Sequence, residues 1–396
     1  MTLSNILLCH PVAPVEITRA RGTSFYDRDG KPYIDFEAGI WCNALGHNHP
    51  RIMACLQKQA AEVMHLGPMF TGSLTDAAAG ALLRHTPHPD GKVAFLSSGS
   101  EAVEMGIRLS RQATGRRRLL TLGRSYLGAY GEAMQESQAV WTKVDLAPCQ
   151  TCPLQECTAR CPHLAHLVPE ETAAFVLEPV LASGGIIVPP TKLVRLLANI
   201  TQAAGGLVVV DEVTTGFGRT GTWWGFEHAG ITPDVIACGK ALGNGFPVSA
   251  VIASAAAAEA AVGRGFRHSQ SHQNDPLAAA IALEVIRIFE EEQLVDRVAG
   301  LGEALQAHLR ALKHPLIVDV RGLGLMVGVE LQNRQVSGRP LIEHVWERML
   351  EQGYFIGIKA PLSLLRFLPP LTITTEEISA VSSALGDLLA SIAPSV

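Results

Sequence analysis

The sequence predicts an α/β fold built on a largely parallel sheet, with a smaller α+β unit attached. Short apolar runs, punctuated by Gly, Pro or Ser, alternate with longer stretches of helical period. From Pro276 onward the texture changes to long helices and brief strand-like runs. The length of 396 residues exceeds one ordinary compact domain, and a content of 47% hydrophobic and 17% charged residues supplies a sizeable core.

Each element has its own local reason. The first expected strand of the sheet, Val93–Ser97, runs into Ser98-Gly99-Ser100 and a helix over Glu101–Gln112, where Glu101 complements the positive helix start. Arg116-Arg117-Arg118 reads as the solvated entrance to a strand at Leu119–Leu122. Further strands are expected at Ala174–Glu178, Leu207–Asp211, Val235–Ala237 and Ala250–Ala253, with a helix over Lys192–Ala203. The later part reads as helices at Leu277–Glu292, Leu294–Leu312, Leu341–Glu351 and Glu376–Ala390. Between them lie strand-like runs at Ile317–Val320, Leu325–Leu331, Phe355–Ile358 and Leu365–Leu368. We therefore expect a large domain over 51–275, with a Cys-rich insertion near 145–170. A small domain is expected from 1–50 together with a linking helix and C-terminal part over 276–396.

Charge and hydropathy exclude several classes. The net charge is −5, so no global basic field draws the chain to nucleic acid or anionic membrane. No apolar run approaches the ~18 residues of a membrane span, and Met1 to His10 lack the features of an export signal. Eight cysteines are too few to staple a chain this long. A reduced, cytoplasmic protein is expected.

The chemistry gathers around Asp211-Glu212-Val213 and Lys240, each following an apolar strand. Functional groups collect at the carboxyl ends of parallel strands, so Asp211 and Lys240 are placed to face one crevice. Ser98-Gly99-Ser100 adds a helix start whose free N–H groups suit a phosphate. Together these meet the needs of pyridoxal phosphate: a phosphate cup, a lysine for the Schiff base and a carboxylate against the ring nitrogen.

At this point the chain resembles the class III, or omega and ornithine-type, aminotransferases of pyridoxal-phosphate fold type I over nearly its whole length. The stretches that carry the resemblance are Asn43-Ala44-Leu45-Gly46-His47-Asn48-His49-Pro50, Ser98-Gly99-Ser100-Glu101-Ala102, Leu177-Glu178-Pro179-Val180, Asp211 through Gly221, Gly239 through Gly245 and Arg366-Phe367-Leu368-Pro369-Pro370-Leu371. The resemblance implies a ping-pong transfer of an amino group between an amino acid or amine and a 2-oxo acid. It assigns Lys240 to the Schiff base, Asp211 to the ring nitrogen, Val213 beneath the ring, Gly99 and Ser100 to the phosphate and Tyr126 to the opposite ring face. Ser271 matches a position that reaches a neighbouring subunit's phosphate, which implies a homodimer or a dimer of dimers. Glu178 matches an acidic residue near cofactor and substrate, and Arg366 the arginine that grips a substrate carboxylate.

Departures from the family narrow the substrate. Ser183 stands where many relatives place a glutamate that pairs with the pocket arginine, so Arg366 must be solvated, paired elsewhere or held for substrate. Ser183 with Asp275-Pro276 is similar to dialkylglycine decarboxylase, but Ile40 replaces the glutamine that supports carboxylate loss there. Leu127 and Thr214 are further replacements. Transamination leads, with decarboxylating transamination or racemisation as alternatives. Ile40 and Trp41 are candidate substrate residues, while Trp41, Trp223 and Trp224 are each open to pocket or core roles. His47 and His49 read as structural.

One motif stands apart. Cys149-x2-Cys152-x4-Cys157-x3-Cys161 packs four thiols into thirteen residues. Such spacing suits a structural zinc or an iron–sulfur cluster, with a disulfide or free thiols as alternatives. His163 and His166 are possible substitute ligands.

Overall fold

The punctuated apolar runs line up as one seven-stranded sheet in the computed structural model, which describes residues 5–10 and 12–392. Its spatial order is Lys92–Leu96, Ser249–Ala253, Val235–Cys238, Leu207–Asp211, Thr172–Leu177, Arg118–Leu122 and Trp141–Val144. Ser249–Ala253 is antiparallel to both neighbours, and every other pairing is parallel. The centre is apolar on both faces because helices cover both: every residue of Thr172–Leu177 and of Val235–Cys238 is buried.

Most expected elements form, with shifted ends. The helix after Ser98 runs from Gly99 to Thr114 and is closed at its start by a reciprocal cap, Ser98 Oγ accepting from Glu101 N and Glu101 accepting from Ser98 N. The edge strand Trp141–Val144 was not expected; its two middle residues are polar and partly exposed, which hides it from an apolar-run criterion. Arg118 opens its strand and pairs with Glu171, while Arg116 donates to the carbonyls of Thr172 and Ala204.

The two ends of the chain meet. A four-stranded sheet joins Ile17–Arg21, Ser24–Asp27 and Pro32–Asp35 to Tyr354–Phe355, the last pair being parallel. A second sheet, antiparallel throughout, is ordered Ile317–Leu323, Met326–Leu331, Leu364–Phe367 and Gly357–Lys359. Its third strand carries Arg366. The helix Pro276–Glu291 packs on helices Pro50–Glu62 and Ser73–Leu83. No helix among the described residues is long and apolar enough to cross a membrane.

Phe175 sits mid-sheet and fully buried. Phe175→Ala should lower stability by about 3–5 kcal/mol. Chemical denaturation at fixed protein and cofactor concentration would read this as a lower midpoint.

Candidate active site

The carboxyl ends of four strands converge on one cavity of about 490 Å³. Asp211 ends its own strand, Glu178 follows Leu177, Lys240 comes two residues after Cys238, and Ser98-Gly99-Ser100 follows the strand Lys92–Leu96. All of these line the cavity, together with Val213, Tyr126, Ser183, Ile40, Trp41 and Arg366. Eleven of the sequence-derived site residues are thus brought together. Ser271 and the four clustered cysteines are not.

The end of the cavity at Ser98-Gly99-Ser100 is shaped by close approach. A Cβ added to Gly99 would lie 2.6 Å from Val213 Cγ1, so this helix start reaches Val213 only as glycine. The cap occupies the amides of Ser97, Ser98 and Glu101, leaving those of Gly99 and Ser100 without a hydrogen bond among the described residues. The Ser100 hydroxyl accepts from Ala129 N at 3.1 Å, tying the helix start to the loop after Tyr126.

The reacting end is a set of buried charges. Asp211 accepts from Val213 N through one oxygen, and its other oxygen has no hydrogen bond among the described residues. Burial pushes its carboxyl up to about 7, against the pull of Lys240. Burial likewise pushes Glu178 well above the ordinary carboxylate range, reinforced by Asp211; Glu178 accepts from Tyr126 N at 2.8 Å. Lys240 is pulled below the ordinary lysine range by burial, opposed by Asp211. Its Nζ donates to Thr214 Oγ1 at 2.7 Å, and its backbone is held at φ +44, a strained conformation for a non-glycine residue. A buried carboxylate with one idle oxygen gains most from a cationic partner, which is what a protonated ring nitrogen offers. The residues present fit pyridoxal phosphate.

The end of the cavity at Ile40 and Trp41 is built on a left-handed turn. Ala38, Gly39, Ile40 and Trp41 all have positive φ, from +44 to +70. Asp35 holds the turn by accepting from Glu37 N and Gly39 N, and His47 pairs with the same carboxylate at 2.8 Å. The turn delivers Trp41 to the cavity, where Lys240 Nζ lies 4.8 Å and Arg366 Cζ 4.9 Å from its ring centroid. Trp224 is core, and Trp223 stacks on His85 away from the cavity. Asp275 lies outside the cavity as well, its two oxygens taken by His65 and His272 at 2.6 Å each.

Besides Gly128, three residues carry no mark in the sequence. His10 and Lys359 also line the cavity, and Glu37 lies 3.2 Å from Arg366. The need for a partner to Arg366 was readable once Ser183 was seen to lack a charge. Which residue fills that need was not.

A parallel α/β sheet presenting a lysine, a strand-end aspartate and an open helix start in one cavity defines a pyridoxal-phosphate protein of fold type I. The chain belongs to the class-III aminotransferases, whose family model matches residues 9–389. It is 34% identical to the acetylornithine aminotransferase of Streptomyces coelicolor, over 94% of this chain and 90% of that one. Identity to the acetylornithine aminotransferase of Methanosarcina mazei is also 34%, over 94% and 91%. Among solved structures, a Bacillus anthracis aminotransferase matches with a TM-score of 0.88 at 28% identity, over 98% and 96% of the two chains. The ornithine aminotransferase of Toxoplasma gondii matches with a TM-score of 0.83 at 26% identity, over 97% and 92%. The protein is a pyridoxal-phosphate-dependent transaminase, and amino-group transfer is favoured over decarboxylation or racemisation.

Lys240→Ala should abolish turnover and leave no cofactor adduct at position 240 after borohydride reduction and peptide mapping. Wild-type turnover in the variant would remove Lys240 from its role.

Proposed function

We propose that Lys240, Asp211 and Glu178 carry the transfer of an amino group to a 2-oxo acid whose carboxylate is bound by Arg366. The observation behind this is the placement of Lys240 Nζ and the Arg366 guanidinium against the same Trp41 ring. When bound, pyridoxal phosphate supplies an electron sink for the pair left by the broken C–H bond. The residues supply the rest. Lys240, losing its proton readily in the buried site, would take the proton from the amine-bearing carbon through Nζ and return it to the carbon on the far side of the amine nitrogen, two bonds away. Asp211 would keep the ring nitrogen protonated through its idle oxygen. Val213 and Tyr126 would hold the ring, Tyr126 being fixed by the Glu178 contact with its amide. The amides of Gly99 and Ser100 would take the phosphate. Arg366 lies on the second small-domain sheet, 14% exposed, and orients the substrate carboxylate.

Ser271 is exposed and outside this cavity, which supports its service to a neighbouring subunit's phosphate in a homodimer or dimer of dimers. We place that assembly in the cytoplasm. The names of the relatives make N-acetylornithine the first donor to try, with 2-oxoglutarate and pyruvate as acceptors. A screen that also follows gas release would overturn the reading if carbon dioxide, and no new amino acid, were formed. Arg366→Ala should lower kcat/KM for the 2-oxo acid by about 30-fold or more, roughly 2 kcal/mol, and affect a simple amine far less. Equal losses on both would sink the assignment.

The cysteine loop carries a separate proposal, a soft-metal centre of zinc or iron–sulfur type. All four thiols are unbridged, Cys149 is buried, and Cys157 and Cys161 pack against the core. Lys192 Nζ donates to the carbonyls of Cys152 and Leu154 and so gathers the loop. No three of these sulfurs come within 4.8 Å of one another, so a single zinc requires the loop to draw in. Protein purified without chelator should contain stoichiometric metal, lost when Cys152 and Cys157 are both changed to Ser. Metal-free protein of unchanged activity and stability would remove this proposal.

A further inference from the structure

Nothing in the motif pattern singles out Glu37. It is 1% exposed, and its Oε1 lies 3.2 Å from Arg366 Nε. Yet neither carboxylate oxygen makes a well-aligned hydrogen bond, and neither does Arg366 Nε. The pair is close without being locked. The strand Gly357–Lys359 makes room for it: a Cβ at Gly357 would fall 1.2 Å from Glu37 Oε1. The other charged groups acting on Glu37 are Asp35, two residues before it, and the buried Arg219. The Trp41 indole N–H is also close. Arg219 donates to the carbonyls of Leu325 and Pro369, and burial lowers it only to about 10, so it remains a cation at neutral pH. Burial pushes Glu37 up to about 7, opposed first by Arg366 and reinforced by Asp35.

We propose that Glu37 is the positioning residue that holds Arg366 between substrates and shares the guanidinium with the carboxylate of an incoming 2-oxo acid or amino acid. This rests on the reading of Arg366 as the carboxylate site. An arginine that must meet an anion in the cavity, yet stand nearly buried without one, needs a counter-charge that can be muted. Glu37 lies at the Nε edge, outside the cavity lining. The two terminal amino groups make no hydrogen bond among the described residues, and the residue lines the cavity. A proton on Glu37 frees the full guanidinium charge for substrate.

The sign follows by linkage. Below about 7, Glu37 is protonated and a carboxylate meets an unshared cation. Above it, the ionised Glu37 competes, so binding must take up a proton and weakens as pH rises.

The test uses holoenzyme and propionate, an unreactive carboxylate, titrated by calorimetry from pH 6 to 8.5. Wild-type affinity should fall toward tenfold per pH unit above neutrality. In Glu37→Gln the dependence should flatten and binding at pH 8 should be several-fold tighter, with turnover changes falling in KM for the 2-oxo acid rather than in kcat. Proton uptake can also be counted in the wild type alone, by comparing buffers of different ionisation enthalpy. An uptake near zero overturns the proposal whether or not the variant folds. Retention of the wild-type pH slope in Glu37→Gln overturns it as well. Arg366→Ala separates the two readings: unchanged propionate binding there removes Arg366 itself, whereas its loss beside an unaltered Glu37→Gln slope removes only Glu37.

Discussion

Removal of Asp211 and Lys240 from water together is the constraint on which the site depends. An isolated buried carboxylate or ammonium sheds its charge, because the low dielectric penalises the ionised form. Here each is displaced toward neutrality by burial, and each partly restores the other. The result is a lysine able to act as a base and an aspartate able to hold a cationic ring nitrogen. The same strand ends that bury them also aim them, since parallel strands bring their carboxyl ends to one edge. Glu212, the very next residue, shows how local this is. It is equally buried, but its oxygens are spent on Thr215 Oγ1 and the amides of Gly225 and Phe226, so it pins a loop and leaves the chemistry to its neighbour.

Strain is concentrated at one wall of the cavity. Four successive positive-φ residues at Ala38–Trp41 cost roughly 1–2 kcal/mol for each non-glycine member. The turn persists because Asp35 and the backbone bonds from Trp41 to Glu37 and from Cys42 to Ala38 over-determine it. Its effect is to split neighbouring side chains between two environments. Ile40 and Trp41 reach the cavity, while Glu37 reaches behind Arg366. The Gly99 contact with Val213 at the phosphate end and the Gly357 contact with Glu37 at the substrate end serve one purpose: a missing Cβ lets a functional group approach closer than any side chain would permit.

Much of this is legible in the sequence alone. Asp211, Lys240, Glu178 and the Ser98–Ser100 start stand at boundaries between apolar runs and helices, where periodicity and punctuation are strong signals. What stayed hidden depends on contacts distant in sequence or on backbone conformations with no compositional mark. The Trp141–Val144 strand exists because Arg118–Leu122 offers it a parallel edge. Ala-Gly-Ile-Trp carries a single glycine and reads as an ordinary apolar run, yet it folds left-handed. Glu37 and Arg366 are far apart along the chain, and the pairing of Pro32–Asp35 with Tyr354–Phe355, together with the bond from Leu368 N to the Phe36 carbonyl, brings their segments together.

The Glu37 geometry shows why an apparent loss in sequence need not be a loss in physics. With Ser183 in place of an acidic residue, the cavity arginine lacks a counter-charge from the strand-end loop. A nearly buried guanidinium without any partner would carry a desolvation cost that its hydrogen bonds to water can no longer offset. Supplying the carboxylate from the turn after Pro32–Asp35 meets that need and changes its character. A glutamate in the open cavity would sit where substrate must go and would have to move aside. Glu37 sits behind Arg366, on the Nε edge, and leaves the substrate path clear. It therefore needs only to exchange a proton, and the shape of the cavity can stay fixed while its charge changes.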